Sequence, residues 1–161
     1  MHDVKVLANV FKRNSMVIGR QVEGLTHADS LLQPEFRGNC LNYVLGHILV
    51  HREKVMEMLG LNAIMDPTSR ALYNYGSDPI TEDVEGVLEL DELMDLLSQM
   101  NELITSAVKE LSAEALEREV KLGDSSATLG QRLEFFGWHE AYHVGQTEYL
   151  RQLAGTDDKV I

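Results

Sequence analysis

Four stretches of this chain repeat apolar residues at steps of three and four, the period of one face of an α-helix. Val4, Leu7, Phe11, Ile18, Val22 and Leu25 mark the first, which runs from about Asp3, its capping residue, to Gly24. Leu41, Val44, Leu45, Ile48, Val55, Met56 and Leu59 mark the second, which starts at Asn39 or Leu41 and is closed by Gly60. Leu90, Leu93, Leu97, Met100, Ile104, Val108 and Leu111 form the seam of the third, predicted from Thr81 or Val84 to Leu111. The fourth runs from Thr128 to Leu153, and Thr128 and Gln131 are spaced as a capping box.

The segments between these helices lack that period. Pro34 and Gly38 break the first connection, and His27 within it reads as solvated. Residues 61–80 contain Pro67, Gly76 and Pro79, and read as one long connection with a helical turn near Ser69 to Tyr73. Residues 112–127 cross to the last helix without a strand pattern. The expected fold is all-α: one domain over residues 1–161, a four-helix bundle with a long crossover between its second and third helices.

The fourth stripe carries the candidate chemistry. Leu129, Leu133 and Phe136 lead into it and Leu150 and Leu153 leave it, but the same stepping lands on His139, His143 and Gln146 in between. A lone histidine on such a face is ordinarily a hydrogen-bonded core residue. Two of them one turn apart are harder to satisfy by burial alone, and two imidazoles at that spacing chelate a metal ion readily. A third ligand is then the deciding question. Of the six histidines, His2 and His27 lie outside the helical interiors, which leaves His47 and His51 at one edge of the second helix's stripe. Helical geometry does not choose between them and puts His51 slightly nearer the stripe centre. A site of three imidazoles from two helices leaves positions open for water or substrate, as catalytic metal sites do.

Charge and cysteine usage narrow the class. A net charge of −12 excludes a surface for nucleic acid or anionic membrane, which needs clustered Lys and Arg. Thirteen of the 26 acids fall between Asp78 and Glu119 against two bases, a run that reads as a solvated helix face. No leader-like segment opens the chain, and no apolar run reaches the length that spans a bilayer. The single cysteine, Cys40, excludes an internal disulfide, reads as a small buried core residue, and suits a reducing cytoplasm.

His139-Glu140-Ala141-Tyr142-His143 also matches the H-E-x-x-H pattern of zinc proteases. The extended form of that pattern wants a third histidine six residues on, where Tyr149 stands, and the other form wants a glutamate further downstream than the sequence extends. Glu140 is therefore expected off the histidine face, toward solvent or the next helix, and the protease reading is set aside.

Asn39-x-Leu41-Asn42-x-x-Leu45-Gly46-His47-Ile48, followed far downstream by His139-x-x-x-His143-x-Gly145-Gln146, resembles the DinB-like superfamily, which includes YfiT-like metalloproteins. The resemblance implies a four-helix bundle, often a homodimer, that binds a divalent metal through three histidines. Carried over, these are His47, His139 and His143. His51 matches no ligand position of the family, which implies a place beside the site or on the helix surface. Its offset of about 6 Å along the axis, one turn from His47, is expected to be too far for both to share one ion without distortion. Three imidazoles suit Zn, Ni, Fe and Cu alike, with availability deciding; Zn or Ni is the expected ion, with Fe an alternative. The implied chemistry is thiol S-transfer, in which the metal activates a low-molecular-weight thiol cofactor; relatives use bacillithiol-type thiols or isomerise maleylpyruvate with mycothiol. A metal-dependent hydrolase and a non-catalytic stress-response metal binder are the alternatives. Gln146, Tyr142 and Trp138 are expected around the ligands or the pocket, and Gly46 marks close packing beside them.

Overall fold

The computed structural model describes residues 2–35, 37–156 and 160. In chain order it runs α1 (Val4–Val22), α2 (His27–Ser30), α3 (Leu41–Met58), α4 (Pro67–Leu72), α5 (Leu90–Lys109) and α6 (Ala113–Leu116). Strands β1 (Glu119–Leu122) and β2 (Ser125–Thr128) follow, and then α7 (Leu129–Gln152). The four long helices, α1, α3, α5 and α7, form the expected bundle. α1 packs on α5 and α7, and α3 packs on the same two, so α1 and α3 take opposite corners.

Local chemistry explains most boundaries. The Asp3 carboxylate accepts from the Lys5 amide at 2.7 Å and starts α1. Thr128 and Gln131 bond reciprocally at 3.0 and 3.3 Å, which completes the expected capping box. α4 begins earlier than the turn expected near Ser69, because Asp66 caps it at the Thr68 amide (2.8 Å) and Pro67 fills its first position. α5 begins later than Thr81 or Val84. Gly86 sits at φ 92°, off any helical path, and the helix starts where the Glu89 amide donates to Glu92 at 2.9 Å.

The hairpin is the element the sequence reading misses. β1 and β2 pair antiparallel with Leu122 opposite Ser125, so the turn is the dipeptide Gly123-Asp124, with Gly123 at φ 58°. Glycine-aspartate between two short runs is a recognised hairpin signal. Strands of four residues are too short for alternation to stand out. Arg132 of α7 anchors the turn by donating to the Ser125 carbonyl at 2.7 Å.

Phe11, Ile18, Ile48, Val55, Met56, Leu93, Met100, Ile104, Leu129 and Leu133 fill the core, each all but sealed from solvent. At its centre lies a charge pair. Arg52 (0% exposed) meets Glu140 (3% exposed) in a fork, with Nε to Oε2 at 2.9 Å and Nη2 to Oε1 at 2.8 Å. The same guanidinium donates to the Leu97 carbonyl of α5 (3.0 Å), and to Ser15 Oγ (2.8 Å) and the Phe11 carbonyl (3.3 Å) of α1. One side chain of α3 thus ties all three other long helices.

Removing one member of such a buried pair strands the other charge, at a cost of about 3–5 kcal/mol. Arg52→Met should lower unfolding stability in urea by that order, and adding Glu140→Leu should recover most of the loss. Equal stability of Arg52→Met and the parent would refute this role.

Candidate metal centre

α3 and α7 pack side by side, and each presents a one-turn histidine pair to the other: His47 and His51 on α3, His139 and His143 on α7. All four rings gather in one cluster. Ring centroids lie 4.4 Å apart for His47–His51, 4.3 Å for His51–His139, 4.5 Å for His139–His143 and 5.0 Å for His47–His143. His47, His51 and His139 offer nitrogens that all lie within 4.8 Å of one another. His143 Nε2 stands 3.3 Å from His139 Nε2.

The structure thus brings His47, His139 and His143 together and places His51 among them. The one-turn offset does not keep His51 away, because side chains at i and i+4 lie on the same helix face and their rings converge. His51 is partly buried inside the cluster rather than on the helix surface.

Two of the rings are oriented by protein acceptors. His47 Nδ1 lies 3.0 Å from the Tyr73 carbonyl. A carbonyl can only accept, so Nδ1 carries the proton and Nε2 keeps its lone pair for the cluster. His143 Nδ1 donates to Gln146 Oε1 at 2.7 Å, with the same consequence. This is how metal-binding imidazoles are usually held. Gln146 therefore touches a candidate ligand directly.

Tyr73 reaches His47 because of Gly46. A methyl group at residue 46 would overlap the Tyr73 ring, so only glycine lets the crossover lie this close to α3. The close packing expected at Gly46 is real, but its partner is a crossover side chain rather than another helix. Tyr73 is fully buried, its hydroxyl donating to Asn42 Oδ1 and accepting from the Leu88 amide, both at 2.8 Å. Sequence reading passes over Tyr73, since the contribution to His47 is its backbone carbonyl, which any residue carries.

Burial keeps the cluster neutral. Loss of hydration pushes His51 down to about 2 and His139 to about 4, and it also lowers His47 and His143 below the ordinary imidazole range. The hydrogen bonds to Tyr73 and Gln146 oppose that fall in His47 and His143. Neutral imidazoles are the form that binds metal. The donor set fits a divalent ion: four neutral nitrogen bases from two rigid helices, with no hydrogen-bond partner for either nitrogen of His51 among the described residues.

A pocket of ≈ 440 Å³ opens beside the cluster. His47, His143 and Gln146 form its inner wall, Tyr43, Val44 and Leu150 its apolar side, and Arg37, Asn39 and Ser77 line it too. Trp138 and Tyr142 do not line this pocket and are 63% and 61% exposed, but the Tyr142 ring meets His143 edge-on at 5.4 Å between centroids, with Trp138 beside it at 6.5 Å. Each sits one residue before a histidine, about 100° round the helix. Glu140 points into the core at Arg52, which removes it from any base role. Cys40 is buried, its thiol near the Ile80 carbonyl at 3.5 Å, and burial raises its pKa. His27 is largely covered rather than solvated, with Asp83 at 3.8 Å and Glu89 at 3.4 Å, because the acidic segment before α5 folds over it.

A helical bundle that gathers four imidazoles beside a pocket defines a candidate metal-binding protein. Residues 12–147 match the model of the DinB superfamily, and the chain belongs to that superfamily. Its fold is similar to the crystal structure of a conserved protein from Enterococcus faecalis, with a TM-score of 0.74 at 16% identity, covering 97% of this chain and 99% of that one. No curated protein matches the chain. No helix among the described residues is long and apolar enough to cross a membrane.

Two outcomes follow from this geometry. Gly46→Ala should destabilise the protein by about 1–3 kcal/mol through overpacking against Tyr73, and should weaken metal binding by displacing the carbonyl that holds His47; both are read by unfolding and by metal titration. The second concerns pH. The folded rings stay neutral where unfolded histidine, near 6.5, takes up a proton, so acid favours the unfolded chain. The melting temperature of metal-free protein should fall as pH drops from 6.5 to about 5, above the carboxylate range, and His51→Leu should flatten that fall. A flat parent profile would count against neutral, buried rings.

Proposed function

We propose that the protein is a divalent-metal-dependent enzyme of the thiol S-transferase type, acting on a small molecule. The carrying observation is the pocket: His47 and His143 stand in its wall, so an ion at the cluster would be reached from a cavity of ligand size. His47, His139 and His143 are the ligands of this reading, for Zn or Ni, with Fe the alternative. An ion there supplies a Lewis acid that stabilises the thiolate of a low-molecular-weight thiol at neutral pH.

The chain's own residues do the remaining work. Tyr73 and Gln146 hold the Nδ1 protons of His47 and His143, which keeps each Nε2 directed inward. Tyr43 stacks along His47, ring planes 12° apart, and with Val44 and Leu150 gives the pocket an apolar side that limits water. Arg37 is the one lysine or arginine among the described lining residues, and it suits an anionic group on the substrate or thiol.

Among the alternatives, hydrolysis through a carboxylate base is disfavoured. The described lining holds no Asp or Glu, and Glu140 is locked to Arg52. A purely structural metal site needs no such pocket.

Elemental analysis of purified protein should find close to one divalent ion per chain, and conjugation of a small thiol to an electrophile should depend on it. Chelation should abolish that activity and leave the helical circular dichroism in place, because the apolar core is complete without metal. Thiol conjugation unaffected by chelation would refute the reading.

A further inference from the structure

We propose that His51 is a fourth protein ligand, so that the ion is held by four imidazoles, two from α3 and two from α7. This goes beyond the three-histidine set and rests on the metal-binding part of the proposed function. Both ring nitrogens of His51 are shut away from solvent, and neither meets a hydrogen-bond partner among the described residues. Buried polar atoms are almost always paired, and leaving them bare costs folding free energy. His47 and His143 each spend one nitrogen on a protein acceptor. His51 spends none, so what satisfies it must enter the cluster.

Its surroundings limit what that can be. His47 and His139 flank the ring at 4.4 and 4.3 Å between centroids, and the Phe136 ring stands 5.7 Å away and offers no polar atom. The rings it touches are thus imidazoles and one phenyl, with the Lys54 ammonium acting on it electrostatically. The nitrogens of His51, His47 and His139 lie within 4.8 Å of one another, where a shared cation would satisfy them together, with His143 joined through its 3.3 Å contact to His139. His51 also stands apart from the pocket: His47 and His143 wall it, whereas His51 does not line it.

Four imidazoles also change which metal works. Zinc prefers four ligands, and these rings would fill its set. Ions that accept five or six donors, such as Ni(II) or Fe(II), keep positions on the pocket side. The inference therefore favours such an ion in the working protein.

The test uses the full chain loaded with nickel or zinc. X-ray absorption should count four imidazoles per ion in the parent and three in His51→Leu. Competition with a chromophoric chelator should show metal affinity falling at least tenfold in His51→Leu and in His51→Gln. Metal-free His51→Leu should melt at or above the parent's temperature, since a bare polar ring is gone, and should gain less on adding metal; a residue of structural value only would lower that melting temperature and leave affinity alone. Three imidazoles in the loaded parent, or affinity in both variants within threefold of it, would overturn the role of His51 and leave the metal-binding reading intact. A parent that binds no divalent ion would overturn both.

Discussion

Everything in this bundle is arranged around a charge that cannot reach water. Arg52 is fully buried, and its guanidinium is tolerable there only because Glu140 and three oxygens of α1 and α5 surround it. A planar fork meeting a carboxylate with two bonds fixes direction as well as distance. Arg52 directly follows His51, and Glu140 directly follows His139. Setting the rotation of α3 against α7 at the ion pair therefore also sets where the preceding residues point. The two histidines are delivered face to face at 4.3 Å. Apolar side chains could hold the helices together, but they slide and rotate more freely than a bidentate pair.

The long crossover after α3 is organised by the same helix. Glu53, buried next to Arg52, accepts from the Ile64 and Met65 amides at 2.8 and 2.7 Å and pairs with Arg70 at 3.3 Å. That folds the crossover back along α3 until Tyr73 lies on Gly46 and offers its carbonyl to His47. Three adjoining residues of α3 thus have separate duties: His51 in the cluster, Arg52 in the core, Glu53 on the crossover.

What could be read in advance was whatever repeats or binds locally. The four long helices showed in their apolar stripes, Thr128 and Gln131 in their spacing, and the α7 histidines in their one-turn pairing. The buried face of α7 nonetheless runs through Glu140, Val144 and Thr147, with the histidines flanking it and Leu153 exposed. The Arg52–Glu140 pair was harder. Each charge lies on its helix's buried face, Arg52 four residues after Ile48 and Glu140 four after Phe136, yet a single charge on a stripe reads as a helix edge. Only the two together, on helices known to touch, announce a buried pair. The hairpin was signalled by Gly123-Asp124 alone, and the run before α5 looked helical because Glu82 and Glu85 are good helix formers, until Gly86 interrupts it. His51 was set aside by pattern, although helical geometry slightly favoured it; the converging rings place it within the cluster.

The H-E-x-x-H string shows how environment assigns chemistry to a motif. In a zinc protease the glutamate must face the metal-bound side to act as a base. Here both Glu140 oxygens are bound to Arg52 inside the core, so the glutamate serves architecture and only the histidines remain for chemistry. Their own geometry leaves His51 without a hydrogen-bond partner among the described residues. Gln146 fixes the proton of His143 on Nδ1, which leaves its Nε2 lone pair 3.3 Å from His139 Nε2. Two lone pairs at that separation repel. The Nε2–H tautomer of neutral His139 turns the contact into an N–H···N hydrogen bond, and a cation between the two lone pairs would answer it as well. A proton relieves one such contact, but both nitrogens of His51 stay bare. A cation at the centre would answer His51 and its neighbours together, so the candidate metal site rests on the physics of the cluster as well as on the motif.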